Sequence, residues 1–149
     1  MNLVVYFFGH DEVTPFSTTS RSISDKLNSD WEQYNVEYPY AEPIRALAKI
    51  TSDINGLKSQ YERLYLVGNG LGAYWAKIAS RTSNLPVILL NEMYDPSVSL
   101  KDELSDEQIA KYKSMTQYAK NLFYSPSFMS IPAYKIGMDS ETVVKKIQE

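Results

Sequence analysis

The chain has no cysteine, so it forms no disulfide and offers no thiolate to a metal. A single histidine is too few for a zinc site built on histidines, and neither a metal nor a cofactor is expected. The 15 Lys+Arg are scattered against 18 Asp+Glu, leaving a formal net charge of −3 and no basic stripe. That balance excludes nucleic acid held by bulk electrostatics. The opening M-N-L-V-V-Y-F-F-G-H has no basic n-region, and its apolar run is only six residues long. Such a run is too short for a signal peptide or a membrane span. The expectation is a cytoplasmic protein that does not engage membranes. There is no internal repeat and no low-complexity linker.

What is present suits one domain over residues 1–149 with one sizeable core: 44% of residues are hydrophobic and 22% charged. Apolar runs alternate with helical patterns. Residues 3–8 are apolar throughout, as in a strand buried on both faces. A Ser/Thr-rich segment follows, with a short helix expected over 22–28 and a strand over 35–38. Pro43 opens a helix, where proline is tolerated, and Ile44, Leu47, Ile50, Ile54 and Leu57 repeat on one face. A third strand is expected over 63–68, and a helix over 71–81 with Leu71, Trp75, Ile78 and Ala79 inward. A fourth strand spans 85–90. Residues 92–104 read as a loop or the start of a lid.

Ser105 to Gln108 reads as a capping box, and the helix after it puts Ile109, Tyr112, Thr116, Ala119 and Phe123 on one side. Residues 125–131 read as irregular and 133–138 as a fifth strand. Ser140 is expected to cap a last helix with Val143, Val144 and Ile147 inward. This alternation predicts an α/β three-layer sandwich with a mainly parallel sheet of about five strands. Ligands in such sheets bind at the carboxyl ends of the strands. The loops to inspect therefore start at Gly9, Gly68, Asn91 and Met138.

The stretch L-V-G-N-G-L-G-A-Y-W-A, residues 66–76, admits two readings. Gly68, Gly70 and Ala73 fit the dinucleotide pattern G-x-G-x-x-A, with Glu92 following Gly68 by 24 residues. This would be a nucleotide-binding domain, although two strands precede the motif. The other reading is the strand–turn–helix elbow of a hydrolase, written G-x-S-x-G, with Gly70 in the serine's place.

The residues around the turn resemble the YqiA/YcfP-like small esterase family of α/β-hydrolases, whose elbow reads G-x-[S/G]-L-G-G-Y-[W/Y]-A. The family's YcfP-like branch also has glycine at the central position. Y-F-F-G-H-D at residues 6–11 is similar to the family's Y-L-H-G-F-D, and L-P-V-I-L-L-N at 85–91 to its strand ending in Asn-Pro. The resemblance implies a truncated α/β-hydrolase-like fold, a bacterial or phage-infected host cell, and Asp139 at the position of the triad acid. The departures matter as much. Gly70 supplies no nucleophile, Phe8 holds the family's strand-one histidine position, and the family's C-terminal strand and histidine have no counterpart before Glu149.

Other chemistry remains open. His10, with Asp11, stands near hydroxyls at Ser17, Thr18 and Ser20, which would make a divergent esterase or thioesterase; alternatively His10 is a loop residue and the hydroxyls form turns and a cap. Asp139 is either a surviving acid or a helix cap. Asn69 suits a left-handed backbone. The elbow is either a tight turn or an anion or carbonyl pocket at a helix N-terminus, with Gly9, His10, Asn69, Gly70, Leu71 and Asn91 as the ligand-binding candidates. Residues 101–107, K-D-E-L-S-D-E, are a solvated loop and first helical turn or a docking edge. The 12 tyrosines, among them Tyr94, Tyr118 and Tyr124, fit a core or an interface. A sheet lacking its last strand exposes an edge, so a homodimer or protein partner through that edge is expected, and the leading reading is a non-catalytic binding protein.

Overall fold

The computed structural model describes residues 1–12, 17–123, 133–136 and 139–149. The elements run β1 (Asn2–Phe7), α1 (Thr18–Lys26), β2 (Trp31–Val36), α2 (Pro43–Lys58), β3 (Leu64–Asn69), α3 (Leu71–Ser83), β4 (Val87–Leu90), α4 (Pro96–Ser99), α5 (Asp106–Phe123), β5 (Ala133–Ile136) and α6 (Ser140–Gln148). The five strands form one sheet in the order β2-β1-β3-β4-β5. Every pairing is parallel. The expected α/β three-layer architecture is the one observed.

Period-two alternation divides the strand side chains between two cores. Leu3, Val5, Phe7, Leu66, Val87 and Leu89 pack with α2, α3 and α5. Val4, Tyr6, Tyr65, Val67, Ile88 and Leu90 pack with Ile23 of α1 and with Val143, Val144 and Ile147 of α6. Helix α3 lies against the middle of the sheet and is buried on nearly every side, from Leu71 through Ala76 and again from Ile78 through Arg81. It contributes to an aromatic cluster: Tyr74 meets Trp75 edge-on at 5.3 Å between centroids, and Tyr112 of α5 lies 6.0 Å from each. Burial pushes the Tyr74 hydroxyl up to about 12 and raises that of Tyr112 further.

Several boundaries differ from expectation for local reasons. Helix α1 starts four residues early because the Ser17 hydroxyl accepts from the Ser20 amide as N-cap. Strand β2 lies at 31–36, not 35–38, since it follows β1 in register from Asn2↔Trp31 to Phe7↔Val36. On α2 the inward stripe is Ala46, Ile50 and Ile54, and Ile44 is 60% exposed, about one residue's rotation off that stripe. The loop 92–104 contains α4, capped by Asp95 accepting from the Ser97 amide. The capping box holds: the Ser105 amide donates to Gln108 at 2.9 Å and the Gln108 amide to Ser105 at 3.2 Å. The cap of α6 is Asp139, and Ser140 is its first residue. The irregular stretch 125–131, Tyr124, residues 137–138 of the fifth strand and the Phe123 side chain lie outside the described residues.

Candidate functional site

The order β2-β1-β3 reverses direction at β1 and β3, and such switch points open a crevice at the carboxyl ends of the strands. The turn from β3 into α3 sits there. Gly70 occupies it at φ 61° and ψ −118°, a conformation that is strained for any residue with a Cβ. Asn69 stays extended as the last residue of β3, so the left-handed position falls on Gly70 and not on Asn69.

The flanking glycines serve close packing. A Cβ on Gly68 would stand 2.3 Å from the Gly72 carbonyl oxygen, and one on Gly72 would stand 2.0 Å from that of Phe7. Only glycine lets α3 approach β1 and β3 this closely. Gly70 is different: its nearest neighbour would be the Gly9 Cα at 3.9 Å, so a side chain has room there. The turn is pinned to the next strand, with the Gly70 amide donating to Leu90 at 2.8 Å and the Gly70 carbonyl accepting from Met93 at 3.1 Å.

Around it the structure gathers Gly9, Asn69 and Gly70, with the Gly9 Cβ position 2.9 Å from the Asn69 carbonyl oxygen. The Leu71 side chain is wholly buried in the core, which leaves only its backbone available to a ligand. Asn91 is exposed just after β4 at φ 46°, a conformation asparagine tolerates.

His10 does not pair with Asp11 as an acid partner. Its Nε2 lies 3.9 Å from Glu103, its ring faces Tyr40 at 6.3 Å, and its buried Nδ1 has no hydrogen-bond partner among the described residues. Glu103 comes from the charge run 101–107, whose other members are mostly exposed; Glu107 pairs with Lys111. Two of the three hydroxyls expected near His10, Ser17 and Ser20, have other partners. Ser17 caps α1, and Ser20 is buried against β2, donating to Asn35 at 2.9 Å and accepting from Gln33 at 3.0 Å.

Asp139 is exposed and caps α6, accepting from the Glu141 amide at 3.0 Å and the Thr142 hydroxyl at 2.8 Å. The Thr142 hydroxyl first, and the Glu141 amide second, hold its carboxyl below the usual range. Glu92, the acid of the dinucleotide pattern, lies 3.5 Å from Lys77 with its side chain 4% exposed. Lys77 is six residues into α3, about 9 Å along the axis from the helix start. The Glu92 carboxylate is thus buried against Lys77 and has no open face for a ribose.

One residue escaped the sequence reading. The Glu12 carboxylate accepts from the Gly9 amide at 2.8 Å, from Asn69 Nδ2 at 2.8 Å and from the Tyr6 hydroxyl at 2.9 Å. Burial first, then the charge of Glu12, raises the Tyr6 pKa well beyond its ordinary value. The available signal was an acid three residues after a strand-ending glycine; its partner Asn69 is 57 residues away in sequence. Among the described residues no three His, Cys, Asp or Glu side chains gather to hold a metal, and no helix is long and apolar enough to cross a membrane.

The comparisons with known proteins agree with this geometry. The model of the uncharacterised protein family UPF0227 matches residues 3–136. No curated protein matches the chain. Among solved structures, Est1E from Butyrivibrio proteoclasticus is similar at a TM-score of 0.74 and 10% identity, over 99% of this chain and 87% of that one. A protein of unknown function from Staphylococcus aureus is similar at 0.55 and 11% identity, over 97% and 75%. Carboxyl esterase 2 from Tuber melanosporum is similar at 0.53 and 13% identity; the match covers 99% of this chain but 64% of the esterase. At these identities the likeness is one of fold: an α/β-hydrolase-like sheet, shorter than full members.

Proposed function

We propose, from the premise that this chain belongs to UPF0227, the YqiA/YcfP-like family that its elbow resembles, that it is a non-catalytic binding protein. Its binding site is the elbow end of the sheet. The observation that carries the reading is Gly70: the turn keeps the strained backbone of a nucleophile elbow and carries no nucleophile. A triad also needs a base oriented by an acid, and Asp139 spends its carboxylate on capping α6. The elbow takes a small ligand, and a second protein or another copy of this chain pairs with an outer strand of the sheet, which among the described residues ends at β2 and β5.

A divergent esterase is the second reading. His10 beside Glu103 at 3.9 Å favours it, because the acid would orient the imidazole as a base. A panel of short acyl esters and thioesters separates the two. The binding reading expects wild type and His10→Ala to be equally inactive; turnover by wild type that disappears in His10→Ala would overturn it. Affinity purification of the tagged chain, followed by native mass spectrometry, then tests the partner. A stoichiometric second protein or a dimer is expected, and a bare monomer would count against pairing through the sheet edge.

A further inference from the structure

Three donors, two of them in the sheet, converge on one oxygen beside the elbow. Glu12 Oε1 accepts from Gly9 N, Asn69 Nδ2 and Tyr6 Oη, at 2.8, 2.8 and 2.9 Å. Among the described residues Oε2 receives a longer contact from the same phenol, at 3.2 Å. Two donors are fixed in the sheet: Tyr6 is fully buried in β1 and Asn69 is 8% exposed at the end of β3, while Gly9 is buried two residues beyond β1. The acceptor is not part of the sheet. Glu12 belongs to the turn after β1, where its amide donates to the Gly9 carbonyl at 3.0 Å, and it is half-buried.

A local turn explains the two bonds between Glu12 and Gly9. It does not explain why a phenol from the floor of β1 and an amide from β3 aim at the same atom. Preorganised neutral donors focused on one oxygen are the arrangement that stabilises an oxyanion, and this one lies at the switch point where open sheets take ligands. Without an acceptor the Gly9 amide and the Tyr6 phenol proton would go unsatisfied in a largely buried place, each at about 1–3 kcal/mol, while the Asn69 amide would keep only its contact with the Tyr6 oxygen.

We infer that Tyr6, Gly9 and Asn69 form a carboxylate cradle that Glu12 occupies at rest, so that a ligand bearing a carboxylate enters by displacing Glu12. The cradle takes a monoanion by one oxygen, as Glu12 itself does. This rests on the reading of the elbow end as a binding site and specifies the chemistry of the ligand. Glu12 is then a latch: it keeps the donors satisfied and sets a threshold that a ligand must exceed.

The test uses the full chain and sodium acetate, compared with sodium chloride at equal ionic strength. In Glu12→Ala, acetate is expected to raise the melting temperature and to move the NMR signals of the Gly9 amide and the Asn69 side-chain amide. Its affinity for this variant is expected to be at least about tenfold tighter than for wild type, where Glu12 competes. No response of the variant to acetate, an equal response to chloride, or equal affinity in variant and wild type would each overturn the cradle. If Glu12→Ala does not fold, Glu12→Gln keeps an acceptor without the charge; there acetate must bind more tightly than in wild type, and unchanged affinity overturns the proposal. Ester turnover by wild type would sink the non-catalytic reading and leave the cradle standing. A silent acetate titration would do the reverse.

Discussion

In a hydrolase of this fold the end of β3 carries the nucleophile, and the resemblance puts the acid at the end of β5. At the end of β3 this chain keeps the turn and has no side chain on it: Gly70 sits at φ 61° between glycines on which the packing of α3 depends. At the end of β5 it keeps the side chain: Asp139 is present, exposed, and bonded to the first turn of α6. The difference teaches what holds each in place. The elbow is held by helix–sheet contact, which constrains a backbone whatever side chain it bears. The acid is held by the needs of a helix N-terminus, which an aspartate meets without any catalytic neighbour.

If packing fixes the elbow, the largest effect in the region belongs to Gly72→Ala. Its Cβ would meet the Phe7 carbonyl oxygen at 2.0 Å, and neither backbone can yield without parting α3 from β1. The expected loss is about 3 kcal/mol or more, the upper end for overpacking, read as a lower urea midpoint or a failure to fold. Near-wild-type stability would mean that the contact does not define the turn.

The same dependence on packing divides what the sequence disclosed from what it hid. Strands β1, β3 and β4 and the long helices were legible because apolar runs and helical spacing are local: Pro43 marked its helix start, and Val143, Val144 and Ile147 all face inward as expected; β2 was displaced because W-E-Q-Y-N-V is no apolar run. The start of α1 was missed because one hydroxyl, Ser17, decides it. Ile44 was misplaced because apolar character says nothing of which neighbour is opposite; it is exposed where α2 and α5 line a groove of about 570 Å³ with Leu47 and Tyr118. At the site, Gly70 and its glycines could be read from the chain. Glu12 with Asn69, and His10 with Glu103, pair across 57 and 93 residues and could not.

Alkali is the next largest probe and acts mainly on the elbow side. Tyr74 is buried in α3 with its hydroxyl pushed up to about 12 by burial, and burial also raises Tyr6, Tyr38 and Tyr112. A group whose pKa is raised by folding supports the fold fully below its unfolded value, near 10, and loses that support as pH climbs toward the folded one. Unfolding above about pH 10 should therefore coincide with a cooperative rise in tyrosinate absorbance. Gradual ionisation of these tyrosines in a chain that stays folded would contradict their burial.

Gly70→Ser should be much milder than Gly72→Ala. The site has room, with the Gly9 Cα at 3.9 Å, so only the backbone resists. A positive φ at a residue with a Cβ costs about 1–3 kcal/mol, and the expected drop in the urea midpoint is correspondingly smaller. Equal damage from the two substitutions would erase the distinction between a packed glycine and one that is merely strained. Gly56 supplies the baseline: it lies in α2 with nothing within 4 Å of its Cβ position, and Gly56→Ala should stabilise by about 0.5–1 kcal/mol through helix propensity alone.

The smallest effect belongs to Asp139, and it tests the other half of the comparison. Its pKa is lowered by the Thr142 hydroxyl and then by the Glu141 amide. A group depressed by folding supports the fold above its unfolded value and withdraws that support as pH falls through the folded one. Asp139→Ala should therefore lower the melting temperature slightly at neutral pH, less than Gly70→Ser does. The gap from wild type should close in acid, once the wild-type carboxyl is protonated. Asp139→Asn should recover part of the loss, because asparagine also caps helices. The amide signals of Gly70, Leu71 and Gly72 should stay where they are in both variants, because the bonds of Asp139 go to α6. A shift at those amides would tie Asp139 to the elbow, and the aspartate would then be more than a cap.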